Sequence, residues 1–335
     1  MTVLTSSDRQ QYGRFLHHHK QERELATRRL HFIQAVRDYL RSKGYQETPV
    51  PVLTHYPESA PIGQFETRDP ISGESYYLRH SAEEFLRRLV VAIERVFDLG
   101  PVMRAETPDA MRAVEFVMLQ SAARSISVGA GIELVVGLVQ SAIQSAFGTQ
   151  QGEYVDLSKI TIKRFDEAVA EQLGLESELP DVELLPTARK WLTDHQLVAD
   201  GTDWEVAEAF MKHAIELRQQ QPTVLTDFPA ILKHNSQVDP ESGRAQRFSL
   251  IIDGIECADG GLKLRTSDDY RTMVDANARL RAQLFGTPIY DGPTDFYADV
   301  DTDPCDVVTF GLGIDRVLAV FTGRSIHDLQ LFPYH

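Results

Sequence analysis

The first regular pattern in the chain is a set of apolar residues spaced by three or four positions: Leu30, Ile33, Val36 and Leu40. This spacing predicts an amphipathic helix, which Gly44 is expected to end. The run 44–53 that follows contains two prolines, which forbid a helix and predict an extended segment. The polar residues 1–23 ahead of the helix are expected to form an exposed arm.

A second helix and two strands are predicted between residues 76 and 124. Ser81 and Glu84 have the spacing of a capping box, in which each side chain binds the other residue's backbone N–H. The buried stripe expected behind them is Leu86, Leu89, Val90 and Ile93. Strands are predicted at 96–104 and 115–120, with a polar loop between them.

The pattern turns mostly helical over residues 125–222 and then returns to strands. Three further strands are predicted: 224–229, 248–257 and 260–264. Near the C-terminus, the β-prone run 307–310 meets two glycines, and a helix pattern starts at once and ends at Gly323.

Composition narrows the class of protein. The chain has 335 residues, 42% of them hydrophobic, which is enough for one large core or two smaller ones. Two cysteines give no disulfide framework and favour a cytoplasmic setting. No apolar run looks long enough to span a bilayer. The net charge of −15 argues against a broad electrostatic grip on nucleic acid.

Candidate chemistry concentrates at two places. Gly311 and Gly313 lie at the last strand-to-helix turn, where glycine lets the backbone approach a ligand closely, and Arg316 follows with donors suited to a phosphate. Around the predicted hairpin stand two arginines, two carboxylates and one aromatic residue: Arg104, Glu106, Arg112, Glu115 and Phe116. Together these two groups predict a nucleotide site.

Taken in order, three elements resemble the signature motifs of class II aminoacyl-tRNA synthetases. They are 44–53 with Pro51, 96–120 with the hairpin residues, and 311–316 with Phe332-Pro333. The resemblance covers about residues 24–335. It implies an α+β fold, an antiparallel β-sheet flanked by helices, with residues 125–222 as a mostly helical segment of the catalytic domain. It also implies a homodimer formed through the first motif.

Within that class the chain is most similar to the lysyl, aspartyl and asparaginyl subgroup. It resembles in particular short paralogs such as the ligase that lysylates elongation factor P. Like them it is expected to lack an N-terminal anticodon-binding β-barrel, because about two dozen residues precede the region of resemblance and a five-stranded barrel needs more. A conventional tRNA synthetase is therefore disfavoured.

The resemblance implies a role for each residue of an ATP site. Arg104 would hold the α-phosphate and the amino acid carboxylate, and Phe116 and Arg316 would sandwich the adenine. Glu106 would contact the adenine edge, and Arg112 would meet the outer phosphates.

The resemblance also implies a magnesium ligand at Glu256. Its usual partner acid is replaced by Ser249, a weaker ligand for Mg²⁺.

The resemblance also implies which amino acid is the substrate, because several residues differ from those at the matching positions of lysine-specific members. Glu83 would bind an amine, and Gly260 and Gly313 would lie beside the substrate. Lysine-specific members carry acids where this chain has Gln120 and Lys263. A buried cation at Lys263 would repel a lysine side chain and could receive a carboxylate or amide oxygen instead.

These observations predict an ATP-dependent, AMP-forming ligase that uses Mg²⁺ and an acidic or Asp/Asn-like amino acid, not lysine. The acyl group would pass to an unknown non-tRNA acceptor: a small amine, ammonia or a protein lysine. No membrane partner is expected, and tRNA is disfavoured. The alternative is a catalytically silent regulatory or tRNA-binding paralog. The replacement at Ser249 favours that alternative, and retention of the predicted ATP-site residues argues against it.

Overall fold

A computed structural model describes residues 12–176, 179–232, 235–286 and 292–332. Strands in the described part are β1 Gln46–Glu47, β2 Leu53–Thr54, β3 Glu66–Arg68, β4 Ser75–Leu78, β5 Arg95–Met103, β6 Glu115–Arg124, β7 Thr161–Arg164, β8 Thr223–Pro229, β9 Arg244–Ile252, β10 Ile255–Leu262 and β11 Val307–Gly313.

Helices flank these strands. They are α1 Tyr12–His18, α2 Lys20–Ser42, α3 Glu83–Leu89, α4 Val128–Phe147, α5 Phe165–Leu173, α6 Asp181–Asp194, α7 Asp203–Phe210, α8 Ser267–Phe285, α9 Thr294–Thr302, α10 Ile314–Thr322 and α11 Ile326–Leu329. Short π and 3₁₀ turns follow α7 and β8.

The central sheet has eight strands in the order β1-β5-β6-β11-β10-β9-β8-β7. Its inner pairings are antiparallel, and only the pairs at its two edges, β1 with β5 and β7 with β8, are parallel. A small sheet, β2-β4-β3, lies beside it. The α+β class and the antiparallel sheet flanked by helices are therefore confirmed.

The N-terminal helix starts earlier and faces differently than the apolar spacing predicts. α2 already begins at Lys20, and α1 lies within the stretch expected to be an arm. Leu30 is 51% exposed, whereas Arg29 is buried. The buried stripe continues through Phe32 and Val36, so an ion-paired arginine takes a core position that a hydrophobic pattern cannot reveal.

The expected single strand at 248–257 is wrong, because the chain turns back within it. β9 ends at Ile252 and β10 begins at Ile255. Asp253 and Gly254 both have positive φ, 49° and 72°, as a two-residue type I′ hairpin requires. The Asp-Gly pair was the local signal for this turn.

The expected capping box at Ser81 does not form. The Glu84 carboxylate accepts hydrogen bonds from Ser59 instead, at 2.8 Å from its hydroxyl and 3.2 Å from its backbone N–H. The Ser81 N–H is satisfied by Glu58, a residue distant in sequence, and the Ser81 hydroxyl accepts from the Glu83 N–H. Tertiary contacts thus replace the local cap.

The helical segment packs on the sheet in two ways. α4 lies in the main core with α2 and the sheet, and α5–α7 form a second apolar cluster against β8 and β9. α4 is also the one helix in the described part that is long and apolar enough to cross a membrane, contrary to the expectation that no such run exists. Half of that apolar window is buried in the protein, as in a core helix.

Candidate functional site

A cavity of about 340 Å³ opens on the face of the central sheet. Its floor is made by β6, β10 and β11, and one side by the start of α3 and the loops around the β5–β6 hairpin. α8 and α9 close the remaining side. Nine of the predicted site residues line it: Glu83, Arg104, Glu106, Arg112, Phe116, Gln120, Glu256, Gly313 and Arg316.

Arg104 lies just beyond the end of β5, between a backbone carbonyl and an aromatic ring. Its Nε approaches the His80 carbonyl oxygen at 3.5 Å, and its Cζ is 5.4 Å from the centre of the Phe116 ring. The ring therefore faces a cation from its own chain. A planar guanidinium held in this way can present its other N–H groups to the cavity.

Arg316 is fixed by two backbone carbonyls at the start of α10. Its Nη1 donates to the Glu256 oxygen at 3.1 Å and its Nε to the Met111 oxygen at 3.3 Å. These bonds join the third motif to β10 and to the loop of the β5–β6 hairpin, so its charge is oriented before any ligand arrives.

Asp315 ties α2, β6 and α10 together at the cavity. Its Oδ1 is 2.7 Å from Arg29 Nη2 on α2, and its Oδ2 accepts from the Val117 N–H of β6 at 3.1 Å. Both side chains of the pair are almost fully buried. The pattern of apolar residues gave no sign of this link.

Arg112 and Glu106 lie in the hairpin loop at the rim. Arg112 is half-exposed and pairs with Asp109 at 3.1 Å. An exposed ion pair of this kind contributes little to stability. Arg112 can therefore leave Asp109 and bind a ligand with little loss of free energy.

The carboxylates suit a magnesium ion shared with a nucleotide better than an all-protein metal site. Glu256 lines the cavity, but Ser249 is buried away from it and donates a hydrogen bond to Asp259 at 2.9 Å. Among the described residues no group of three or more His, Cys, Asp or Glu side chains could hold a metal. Mg²⁺ commonly takes one or two carboxylates together with substrate phosphates and water, and Glu256 fits that role.

Lys263 does not line the cavity; it lies behind Glu83. Its Nζ is 2.7 Å from Glu83 Oε1, and the lysine is only 1% exposed. Burial raises the pKa of Glu83, but the charges of Lys263 and Arg247 and the hydrogen bonds from Lys263 and Thr309 lower it more, so the carboxylate is held ionised. Glu83 is thus already neutralised by a cation of the protein.

Gly260 is a packing position and does not reach the cavity. A Cβ there would lie 2.6 Å from the Phe310 Cβ and from the Thr309 oxygen of the neighbouring strand. Gln120 lines the cavity, where its Nε2 donates to the Ser81 hydroxyl at 2.7 Å and its Oε1 accepts from the Ala82 N–H. Phe332 is 84% exposed, and Pro333 lies outside the described residues.

An acid–imidazole pair, absent from the sequence predictions, stands beside Arg104. His80 Nδ1 is 3.2 Å from Glu58 Oε2, and both side chains are almost fully buried. Burial, followed by the charge of Glu84, raises the pKa of Glu58 well above its usual value. Burial also lowers the pKa of His80 to about 3, with Arg104 and Arg281 acting in the same direction. Burial therefore favours the uncharged form of both groups, and His80 is neutral near pH 7.

Two buried arginines were also missed. Arg247 pairs with Asp259 and donates to Asn235 Oδ1 at 2.8 Å. Arg87 lies on α3, and the apolar and aromatic wall opposite comes from α8 and α9: Tyr270, Met273, Val274 and Phe296. No sequence prediction covered these two helices, and their residues carry no recognisable motif.

Comparison with known proteins agrees with this geometry. A family model described as tRNA synthetases class II (D, K and N) matches residues 7–335. The chain belongs to this family. The class II (D, K and N) fold accounts for the converging motif residues and for the sheet on which they lie.

Curated relatives are proteins called lysylphosphatidylglycerol biosynthesis bifunctional protein LysX. The chain is 31% identical over 327 residues to the one from Mycobacterium sp. strain KMS, with 93% of this chain and 29% of the relative covered. It is 29% identical over 340 residues to that of Mycobacterium bovis strain BCG / Pasteur 1173P2, covering 93% and 28%. The chain thus spans less than a third of the length of these relatives.

Proposed function

We propose that the chain is an ATP-dependent ligase that joins an amino acid to AMP and then passes the acyl group to an acceptor other than tRNA. The observation that carries the proposal is the convergence of Arg104, Arg112 and Arg316 on one cavity that Glu256 also lines. Fixed positive charge and a carboxylate for Mg²⁺ are what a bound triphosphate needs.

The first step needs positioning more than proton transfer. A carboxylate oxygen of the amino acid attacks the α-phosphorus of ATP; a new P–O bond forms, and the bond to the β-phosphate breaks as pyrophosphate leaves with its electron pair. Arg104 is oriented to hold the carboxylate and the α-phosphate together, and Arg316 to steady the nucleotide. A magnesium ion at Glu256 would supply further positive charge for the phosphates.

In the second step, the acceptor attacks the acyl carbon and AMP leaves. For an amine acceptor, an amide bond forms and the nitrogen releases a proton. The acceptors proposed from the sequence are a small amine, ammonia or a protein lysine. Because the relatives are named for lysylphosphatidylglycerol biosynthesis, phosphatidylglycerol vesicles and total tRNA belong in the same acceptor assay as competing outcomes.

The amino acid proposed is acidic or Asp/Asn-like. Lys263 supports this proposal because it satisfies Glu83, the carboxylate expected to meet a substrate amine. The relatives' printed name favours lysine as the second candidate, and the assay must include both.

Calorimetry with ATP and Mg²⁺ tests the nucleotide site. Arg104→Ala and Arg316→Ala should each weaken ATP binding by about tenfold or more, since each removes a charge-assisted contact to the nucleotide. Arg279→Ala is the control, because Arg279 is exposed on α8 and pairs with Asp275 one helical turn away. Unchanged ATP affinity in both cavity variants would contradict the proposed site.

A further inference from the structure

Arg87 is a fully buried cation without a carboxylate partner among the described residues. The residue is 1% exposed, and in the described part of the chain Nε, Nη1 and Nη2 all lack a hydrogen-bond partner of good geometry. Leaving such a charge unpaired inside a protein is costly by several kcal/mol. A buried guanidinium in this state needs an explanation.

Arg79 shows how the same fold treats a structural buried arginine. It is also 1% exposed, yet it pairs with Asp98 at 2.9 Å and donates to the carbonyls of Pro101 and Val50. In the part of the chain that the structure describes, neither a carboxylate nor a backbone carbonyl binds Arg87 in this way, although Arg87 lines the cavity. The difference points to a partner that arrives from the cavity.

The neighbouring acids do not pair with Arg87. Glu83 is bound by Lys263. Glu84 accepts two hydrogen bonds from Ser59 through Oε1, its buried Oε2 has no hydrogen-bond partner among the described residues, and burial raises its pKa. Tyr270 is the polar neighbour of Arg87: burial raises the pKa of its hydroxyl, while the charge of Arg87 and a hydrogen-bond interaction with Arg87 lower it in part. A neutral phenol cannot neutralise the guanidinium.

The surroundings of Arg87 favour a small anion over a bulky one. Tyr270, Phe296 and Val274 form an apolar wall that excludes water and strengthens any ion pair made there. A carboxylate matches the guanidinium fork with two parallel hydrogen bonds. The triphosphate has its own cations in Arg104, Arg112 and Arg316.

We propose that Arg87 receives the side-chain carboxylate of a dicarboxylic amino acid, a role that the sequence pattern had suggested for Lys263. The inference rests on the proposed function, because it names the substrate class of the same cavity. It makes Arg87 a specificity-determining residue, and it assigns Lys263 to holding Glu83.

Binding without ATP tests this inference separately from the reaction. L-aspartate, L-glutamate, their two amides and L-lysine would be titrated into wild type, Arg87→Met, Arg87→Lys and Arg88→Met by calorimetry. Arg88 is the matched control: it is the next residue on α3, is partly exposed and pairs with Asp299 at the surface. Arg87→Met should weaken binding of the dicarboxylic amino acid by at least about tenfold, since a buried charge partner is lost. The affinity of Arg87→Lys for the dicarboxylic amino acid should lie between those of wild type and Arg87→Met. The affinity of Arg88→Met should lie within about twofold of that of wild type.

Thermal unfolding of the free protein supplies a second readout. Arg87→Met should melt at the same temperature as wild type or higher, because it removes an unpaired buried charge. A purely structural arginine would give the opposite, a lower melting temperature with unchanged amino acid affinity.

The outcomes separate the two proposals. Arg87-dependent binding of aspartate or glutamate without any adenylation would keep this inference and overturn the proposed function. Wild-type binding of lysine in preference to both dicarboxylic acids would overturn the inference and leave the ligase intact. Failure of wild type to bind either dicarboxylic acid would overturn it as well.

Discussion

At the scale of single residues, the cavity is governed by which buried charges have partners. Arg29, Arg79 and Arg247 each face a carboxylate, and Lys263 faces Glu83. Arg87 has no carboxylate partner among the described residues and, with the arginines of the proposed ATP site, is available to a ligand. Arginine therefore serves both the stability of the fold and ligand binding in this cavity. Only the contacts of each arginine distinguish the two roles.

The buried histidine gives a pH-dependent prediction. Because burial lowers the pKa of His80 from 6.5 to about 3, the unfolded chain takes up a proton below about pH 6.5 that the folded protein refuses. This contribution to stability is therefore present at neutral pH and is lost as pH falls. Glu58, whose raised pKa favours proton uptake on folding, acts in the opposite direction, so the wild-type curve alone does not isolate His80.

A comparison of variants isolates the contribution of His80 to stability. The difference in unfolding free energy between wild type and His80→Asn should grow as pH rises from 5 to 6.5, by up to about 1.4 kcal/mol per pH unit. Urea denaturation at several pH values measures this difference. His31→Asn, which alters an exposed histidine, should show the same pH dependence of unfolding free energy as wild type. Parallel curves for wild type and His80→Asn would show that His80 titrates normally in the folded state.

At the scale of elements, the sequence patterns predicted the features that neighbouring residues determine, such as strands and helix ends. The sheet strands at both sides of the hairpin, the end of α2 at Gly44 and the end of α10 at Gly323 agree with the sequence patterns, and both glycines have positive φ. The missed Asp253-Gly254 turn was local too. What could not be predicted depends on distant pairs: Glu58 accepting the N–H groups just ahead of α3, Arg29 taking a core position, and α8 and α9 closing the cavity.

The same limit applies to the candidate site. Seven of the nine predicted residues that line the cavity lie in the second and third motifs, which carry them at fixed positions on strands and turns. The other two, Glu83 and Glu256, lie on α3 and β10. The placement of Lys263 behind Glu83, and the isolation of Arg87, follow from side-chain packing between elements far apart in sequence. No spacing rule encodes either one.

The link between α2 and α10 gives a prediction about stability. Arg29→Met should lower the unfolding free energy by about 3–5 kcal/mol, because it leaves Asp315 as a buried charge without its partner. Urea denaturation measures the change. Arg41→Met is the control on the same helix: its pair with Glu47 is partly exposed, so its loss should amount to less than about 1 kcal/mol. Equal effects of the two variants would contradict the structural role of Arg29.

At the scale of the whole molecule, α2 and the first motif leave apolar surface uncovered. Leu30 and Leu53 are each about half-exposed, and Pro51 is exposed as well. We propose that these residues lie in the interface of a homodimer. A stable interface of this kind would bury about 800 Å² or more of each partner.

Sedimentation tests the dimer. Wild type should sediment with twice the mass of one chain at micromolar concentration, and Leu53→Arg should shift it towards the monomer, because a buried unpaired charge opposes association. Ile71→Arg changes a fully exposed loop residue away from the motif and should leave the dimer intact. A monomeric wild type would rule out the proposed assembly.

The most direct test of the adenylating function is amino-acid-dependent exchange of labelled pyrophosphate into ATP, measured across the common amino acids with Mg²⁺. We predict exchange with aspartate or glutamate well above that with lysine, and its loss in Arg104→Ala, which removes the group proposed to hold the reacting carboxylate and phosphate. Exchange with lysine alone would keep the enzyme class and contradict the proposed substrate. Absence of exchange with every amino acid, in a protein that binds ATP, would contradict the ligase itself.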